Sequence, residues 1–492
     1  MSDRRLLPAS ATPASQVRVG LAALLVGGWA VFGLAVFGDP AQALPSQAAV
    51  AFLVLWLGGC MTAHDLLWLR SYRSNLLPVP AATPLRGRAA RVLRKWLGLH
   101  AVLAAWASVY WVFQEYHGGL YAPFFTLCRA GWPWWVLVSL PYIAWVDARM
   151  AQPHDAYWHL GDALLSLRWP GAATAGPAGP CPGASVAWQS FALGWGVKAF
   201  FLPLMWGYAV RQVQAVAALP SPAIAQSPLQ WFEWAMATLY FIDVIWGAMG
   251  YLWSLRLTDS HVRSTEPTTL GWLAALVCYE PLSRAVFPAY FAYGSGPAWG
   301  HWLADRPALE LLWAALIVAL TGVYAAATVS FGLRFSNLTH RGIVTSGPYR
   351  WLRHPAYVSK NLSWWLISMP FMVHTHWTDS LRLCAMLLAV NGVYWLRART
   401  EDRHLRQDPV YRAYADALLA RRRRALAGLG RLVGLGRLVG LVGLRGLVGR
   451  VGRVGRVGLA VRAGQGASAG LWALARRANW GRLRPPFSSH AP

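Results

Sequence analysis

The chain has 492 residues, of which 56 % are hydrophobic and only 13 % charged, with 30 Trp. That balance excludes an ordinary soluble globular protein and points to apolar blocks that cross a bilayer. The net charge of +26 does not mark a nucleic-acid-binding face, because no acidic residue follows Asp416 while fifteen Arg lie between Arg421 and Arg484, so more than half of the surplus belongs to a tail.

Apolar blocks run at 17–38, 48–68, 96–113, 131–147, 188–210, 230–255, 270–293, 307–331, 360–376 and 380–396. Each is near the length a helix needs to cross hydrocarbon. They predict an all-α, polytopic integral membrane helical bundle of about ten transmembrane helices. The first block is too long for a cleavable signal and lacks a small-residue cleavage site after it, so it reads as a retained span. The last two blocks are joined only by His374–Asp379, a spacing that also suits a shallow hairpin. Sidedness follows from Lys/Arg bias. The segment Arg70–Lys95 carries seven basic residues, whereas the loops at 39–47, 114–130, 211–229 and 294–306 carry none, one, one and one. Basic loops stay inside, which puts both chain ends in the cytoplasm.

Residues 1–170 read as an N-terminal transmembrane region, 171–186 as a Gly/Ala/Pro-rich linker, 187–309 as central transmembrane helices, 310–424 as a C-terminal module and 425–492 as a low-complexity tail. In the tail Gly-Arg-Leu-Val-Gly-Leu gives way to repeated Gly-Arg-Val, with eleven Gly among residues 428–458. Each helical Gly costs about 1 kcal/mol relative to Ala, so a disordered tail is expected. Its Arg side chains suit anionic lipid headgroups on the cytoplasmic face, at about 1 kcal/mol per residue near the surface.

Cys60, Cys128, Cys181, Cys278 and Cys384 show no metal or disulfide spacing. His154 and His159 stand five apart and do not share a helix face, so they read as a solvated loop and not as metal ligands. The ionisable residues that stand well inside blocks, away from their ends, are Lys198, Asp243, Glu280 and Arg284. Glu280 and Arg284, one turn apart, read as a self-neutralising pair; Asp243 has no local partner and could meet Lys198 or line a polar cavity.

The most informative stretch runs from Thr345 to Tyr414. It holds Thr345-Ser346-Gly347-Pro348-Tyr349, then Arg353-His354-Pro355-Ala356-Tyr357, then an apolar hairpin, then Arg397 through Glu401-Asp402 to Leu405, and finally Tyr411 and Tyr414. Gly347-Pro348 turns the chain and Pro355 fixes a bend beside His354, presenting hydrogen-bonding side chains together where the chain re-enters the bilayer. Both the Arg-His and the Glu-Asp clusters could by themselves be positive-inside or interfacial ion-pair features. The joint ordering resembles the signature of the isoprenylcysteine carboxyl methyltransferase family and its relatives among membrane phospholipid methyltransferases.

That resemblance implies S-adenosylmethionine as cofactor and a lipid or lipidated substrate taken from the bilayer, with the site facing the cytoplasm. It also implies that Arg341, Gly342, Ile343, Val344, Tyr349, His354, Pro355, Ala356, Tyr357, Glu401 and Asp402 bind the donor, and that Arg397 acts on the acceptor. The residue types fit. A donor carrying an ammonium, a carboxylate, a ribose diol and an adenine wants a carboxylate, polar donors and aromatic surface, and a guanidinium orients an oxyanion nucleophile. Val358-Ser359-Lys360 stands where many relatives have a glycine, and Arg421–Arg424 replaces an Arg-x-Pro-type ending. Both departures leave the acceptor open between a carboxylate and an amine. Two alternatives are an NADPH-dependent membrane reductase of the sterol or steroid type, which shares the Arg-His-Pro-x-Tyr turn, and a non-catalytic transporter or scaffold. The acidic pair at 401–402 and the lack of an internal repeat weigh against them.

Overall fold

The computed structural model describes residues 7–33, 45–77, 85–166, 184–219, 227–373 and 375–432. The linker before Ala184 and the Gly/Arg repeats after Leu432 lie outside the described residues. The architecture is helical: α1 (Ala14–Gly28), α2 (Ser46–His64), α3 (Leu85–Val112), α4 (Ala122–Asp147), α5 (Ala156–Ser166), α6 (Ala184–Ala218), α7 (Pro228–Leu252), α8 (Thr269–Leu276), α9 (Leu282–Tyr290), α10 (Trp299–Leu303), α11 (Pro307–Ser330), α12 (Pro355–Ser368), α13 (Trp377–Leu405) and α14 (Pro409–Leu432). One antiparallel bridge, β1 (Ser264–Thr265) with β2 (Thr339–His340), pairs Ser264 with His340. Residues 1–418 pack as one unit and a second begins at Leu419, within α14.

Among the described residues, five helical stretches are long and apolar enough to cross a membrane: Ala14–Gly33, Ser46–Leu69, Leu229–Leu252, Pro307–Ser330 and Trp377–Leu405. These answer five of the ten predicted blocks; those at 96–113, 131–147 and 188–210 fall in α3, α4 and α6, which are not among the five stretches, and the other two take another form. The block at 270–293 breaks into α8 and α9, of 8 and 9 residues, at Tyr279-Glu280-Pro281. Proline has no N–H to continue the ladder, so α9 starts afresh. The block at 360–376 is the end of α12, whose 14 residues reach about 21 Å against a hydrocarbon thickness of about 30 Å. α12 with α13 is therefore a hairpin of one short helix and one long enough to cross, and not of two full spans.

The main core lies among α1, α2, α6 and α7, with Leu53, Leu57, Phe201, Ile245 and Trp246 fully buried. Ionic groups tie α3 to α4. Arg91 donates to both oxygens of Asp147 at 3.0 and 2.6 Å, and Lys95 Nζ lies 2.8 Å from Asp147 Oδ1. Part of the basic 70–95 segment is thus neutralised inside the protein. His154 and His159 pack on Trp158, whose N–H is capped by Asp155 at 3.1 Å.

Other pairings depart from the sequence reading. Glu280 meets Arg211 at 3.7 Å and not Arg284. Asp243 meets α11, accepting from Tyr324 Oη at 2.6 Å and Thr328 Oγ1 at 2.5 Å, while Lys198 lies over the ring of Trp195. The C-terminal helices begin where the sequence sets proline in their first turn: Pro307, Pro355 and Pro409, the last with Asp408 accepting from Val410 N at 2.6 Å.

Candidate functional site

His354, Tyr357 and Lys360 recur every three residues on the first turns of α12, and Tyr394, Arg397 and Glu401 recur every three or four on α13. Such spacing puts each trio on one face, and the two faces meet across a cleft that all six line. Its walls are completed by Tyr324, Thr328, Phe331 and Phe335 around the end of α11, by Ser336 and Asn337 in the loop after it, and by Tyr279 at the α8–α9 break.

His354 is the N-cap residue of α12, and its side chain caps nothing in that helix. Its ring is free to turn outward, where Nε2 lies 3.0 Å from Asp402 Oδ1 and Nδ1 3.8 Å from Glu401 Oε2. An ionised Asp402 only accepts, so Nε2 carries the proton. The imidazole lies parallel to the Tyr357 ring, centroids 5.5 Å apart. Tyr357 donates its hydroxyl proton to Glu401 Oε2 at 2.8 Å.

The neighbouring carboxylates have different surroundings. Glu401 lines the cleft with its side chain 37 % exposed, whereas Asp402 is 13 % exposed and sits behind it. Arg353 Nη1 donates to Asp402 Oδ2 at 2.6 Å, and Tyr411 donates its hydroxyl proton to Oδ1. Burial and that carboxylate hold the Tyr411 hydroxyl well above its ordinary pKa, so it stays a donor. Tyr414 donates to the carbonyl of Tyr349 at 2.7 Å, anchoring the Gly347–Arg350 turn. Tyr349 presents its ring to the cleft at 5.2 Å from Phe331.

Arg397 is buried between two rings, its guanidinium carbon 5.0 Å from the Tyr357 centroid and 5.4 Å from that of Tyr279. Nη2 donates to Asn337 Oδ1 at 2.6 Å, and among the described residues no carboxylate lies within ion-pairing distance. A buried guanidinium held by neutral and aromatic partners keeps its charge for an incoming anion.

Other residues singled out in the sequence stand elsewhere. Arg341 does not line the cleft: its guanidinium donates to the carbonyls of Ser260, Gly250, Phe335, Trp253 and Leu333 at 2.6–2.9 Å. It is a buried clamp on three chain segments. Gly342, with φ of +113°, lets the N-terminal arm pass, since a Cβ there would come within 2.7 Å of Ala11; Ala11 N donates to Ile343 O at 2.8 Å. Ile343 and Val344 are buried with Tyr349, Tyr411 and Tyr414. Pro355 starts α12 and is buried outside the lining, whereas Ala356 lines the cleft. The motif gave no sign of Tyr279, Asn337 and Tyr324, which come from other elements; Lys360 was visible one turn beyond Tyr357.

Residues 308–407 match the model of the isoprenylcysteine carboxyl methyltransferase (ICMT) family. The chain carries an ICMT family domain. No curated protein and no solved structure matches the chain. The ICMT match takes in α11, β2, α12 and α13, and so most of the cleft wall. It stops short of Tyr411 and Tyr414, which buttress the cleft, and does not reach Tyr279. The cofactor that the ICMT family implies suits this donor set: a part-exposed carboxylate, a histidine edge, three cations and a wall of aromatic rings.

Proposed function

We propose that the chain is an S-adenosylmethionine-dependent membrane methyltransferase whose cleft faces the cytoplasm and accepts a lipid-borne nucleophile from the bilayer. The observation that supports this reading best is the pairing of duties across α12 and α13. Tyr357 hydrogen-bonds Glu401 and stacks on His354, whose Nδ1 lies 3.8 Å from the same carboxylate, and among the described residues Arg397 stands beside them as a cation without a carboxylate partner.

S-adenosylmethionine, when bound, supplies a methyl group already activated by its sulfonium. The protein therefore needs to bind, align and exclude water more than to move protons. Glu401 is the acceptor for an ammonium or ribose hydroxyl, and the Tyr357 hydroxyl fixes its rotamer. His354, oriented by Asp402, offers its remaining edge. Tyr349 and Phe331, edge to face at 72°, give an aromatic corner for a purine. Arg397 orients an anionic nucleophile, which at neutral pH carries no proton to remove, so a general base is not required. Tyr279, Tyr394 and Phe335 keep water from this end of the cleft.

The test is incubation of the purified protein with methyl-labelled donor and total membrane lipid extract, followed by identification of the labelled product. Label in a lipid fraction is expected. NADPH binding without measurable affinity for S-adenosylmethionine would overturn the reading.

A further inference from the structure

A second, larger cavity of about 650 Å³ lies away from the cleft. Gly194 of α6 packs near Thr265, beside the β bridge, whereas Arg211 of the same helix borders this cavity. The seventeen helical steps from one to the other correspond to roughly 25 Å of helix. The cavity therefore sits toward the end of the bundle that holds Pro45, Glu115 and Arg211, which belong to weakly basic segments of the sequence. By charge bias that is the side opposite the cleft.

Its charged groups are two cations and two carboxylates. Arg211 Nη1 is 3.7 Å from Glu280 Oε1, too long for a hydrogen bond. Arg284 and Glu115 also line the wall, and among the described residues neither has an ion-pair partner. Three helix starts open onto the same space: α2 at Ser46, α4 near Pro123 and α9 after Pro281. Among the described residues only α2 leaves its first N–H groups, at Gln47 and Ala48, free to donate there and add positive potential, whereas Phe124 N of α4 donates to Tyr121 O and Ser283 N of α9 to Tyr279 O. Tyr121 supplies an aromatic face. The flank is apolar and exposed, with Leu282 40 % and Tyr290 70 % accessible on α9.

We propose that this cavity binds a phosphate-bearing zwitterion, the headgroup of a phosphoethanolamine-type lipid entering from the membrane side. The phosphate meets Arg284, Arg211 and the start of α2, and the ammonium meets Glu115 and Glu280. A volume of about 650 Å³ is in the range of small-molecule sites. The site is built from residues outside the 308–407 match, which gives the N-terminal half a ligand of its own. It also borders the cleft in sequence: Glu280 lines the cavity, and the hydroxyl of the preceding Tyr279 lies 3.5 Å from Arg397 Nη2.

The full chain in neutral maltoside detergent is titrated with phosphatidylethanolamine, glycerophosphoethanolamine and inorganic phosphate, and bound ligand is read by native mass spectrometry and by thermal shift. Saturable binding of the lipid is expected, weakened by about tenfold or more in Arg284→Gln, as for a lost charged hydrogen bond. Glu115→Gln should weaken both ethanolamine ligands while leaving the affinity for inorganic phosphate unchanged. Arg284 is exposed, so the variants should melt with the parent when no ligand is present; Gln214→Ala, at the cavity wall, serves as a second, uncharged probe. Binding of glycerophosphoethanolamine as tight as that of the lipid assigns the site to the headgroup alone, and tighter lipid binding adds a contribution from the acyl chains. Non-saturable uptake, or equal affinity in the parent and in a double Arg211→Gln/Arg284→Gln variant, would overturn the proposal. None of these readouts depends on methyl transfer.

Discussion

Adjacent carboxylates with opposite duties give the sharpest test of the cleft. In Glu401→Gln the amide oxygen can still accept from Tyr357, and the side chain is part-exposed, so stability should change by less than about 0.5 kcal/mol. Donor affinity should fall by roughly 1.5–3 kcal/mol, about 10- to 150-fold, for a charged hydrogen bond to the ligand. Asp402→Asn is a different perturbation. Asp402 receives Arg353 at 2.6 Å, His354 at 3.0 Å and the Tyr411 hydroxyl, and an amide puts an N–H against one of these donors. Breaking a fully buried pair costs about 3–5 kcal/mol; Arg353 is 27 % exposed, so a loss of about 2–4 kcal/mol is the reasonable expectation. Donor binding should weaken as well, through the freed His354 ring. Thermal unfolding in mild detergent and calorimetric titration with S-adenosylmethionine separate the two effects. If Asp402→Asn keeps the parent's melting temperature, or Glu401→Gln loses it, the assignment of hub and ligand contact is wrong.

Arg397→Lys should leave donor affinity near that of the parent while lowering turnover, since lysine cannot reproduce the planar guanidinium between Tyr279 and Tyr357; equal loss of both in binding and single-turnover assays would assign Arg397 to the donor. Arg341→Gln should destabilise the chain by about 3 kcal/mol or more, because five carbonyls lose charged donors; a stable variant that only fails to bind donor would return Arg341 to the site. Stability should also fall in mild acid. Burial pushes His261 down to about 4 and lowers His340 in the same direction, so the unfolded chain takes up protons first; stability is full above about pH 6.5 and declines as pH falls toward 4. A His261→Gln variant should lose part of that slope in pH-dependent melting. Removal of residues 433–492 should leave donor affinity unchanged, since all cleft-lining residues precede them, and calorimetry on the truncated chain checks it.

The sequence by itself determined whatever depends on short chain distances. Apolar length marked the membrane character, proline set the starts of α11, α12 and α14, and the three- and four-residue spacing of His354, Tyr357, Arg397 and Glu401 put them on two helix faces. The order of those motifs was also enough to point to the ICMT family found over residues 308–407. Tertiary structure decided which neighbours share a task. Nothing in Arg341-Gly342-Ile343-Val344 tells a ligand contact from a clamp, because the carbonyls that hold Arg341 lie up to 91 residues away. Tyr279 and Arg397 meet across 118 residues, and Asp402 differs from Glu401 only through Arg353 and Tyr411, which occupy one side of the helix and not the other. Local pattern fixes the face a residue lies on; what stands opposite that face depends on how distant segments pack, and a single sequence carries no record of those distances.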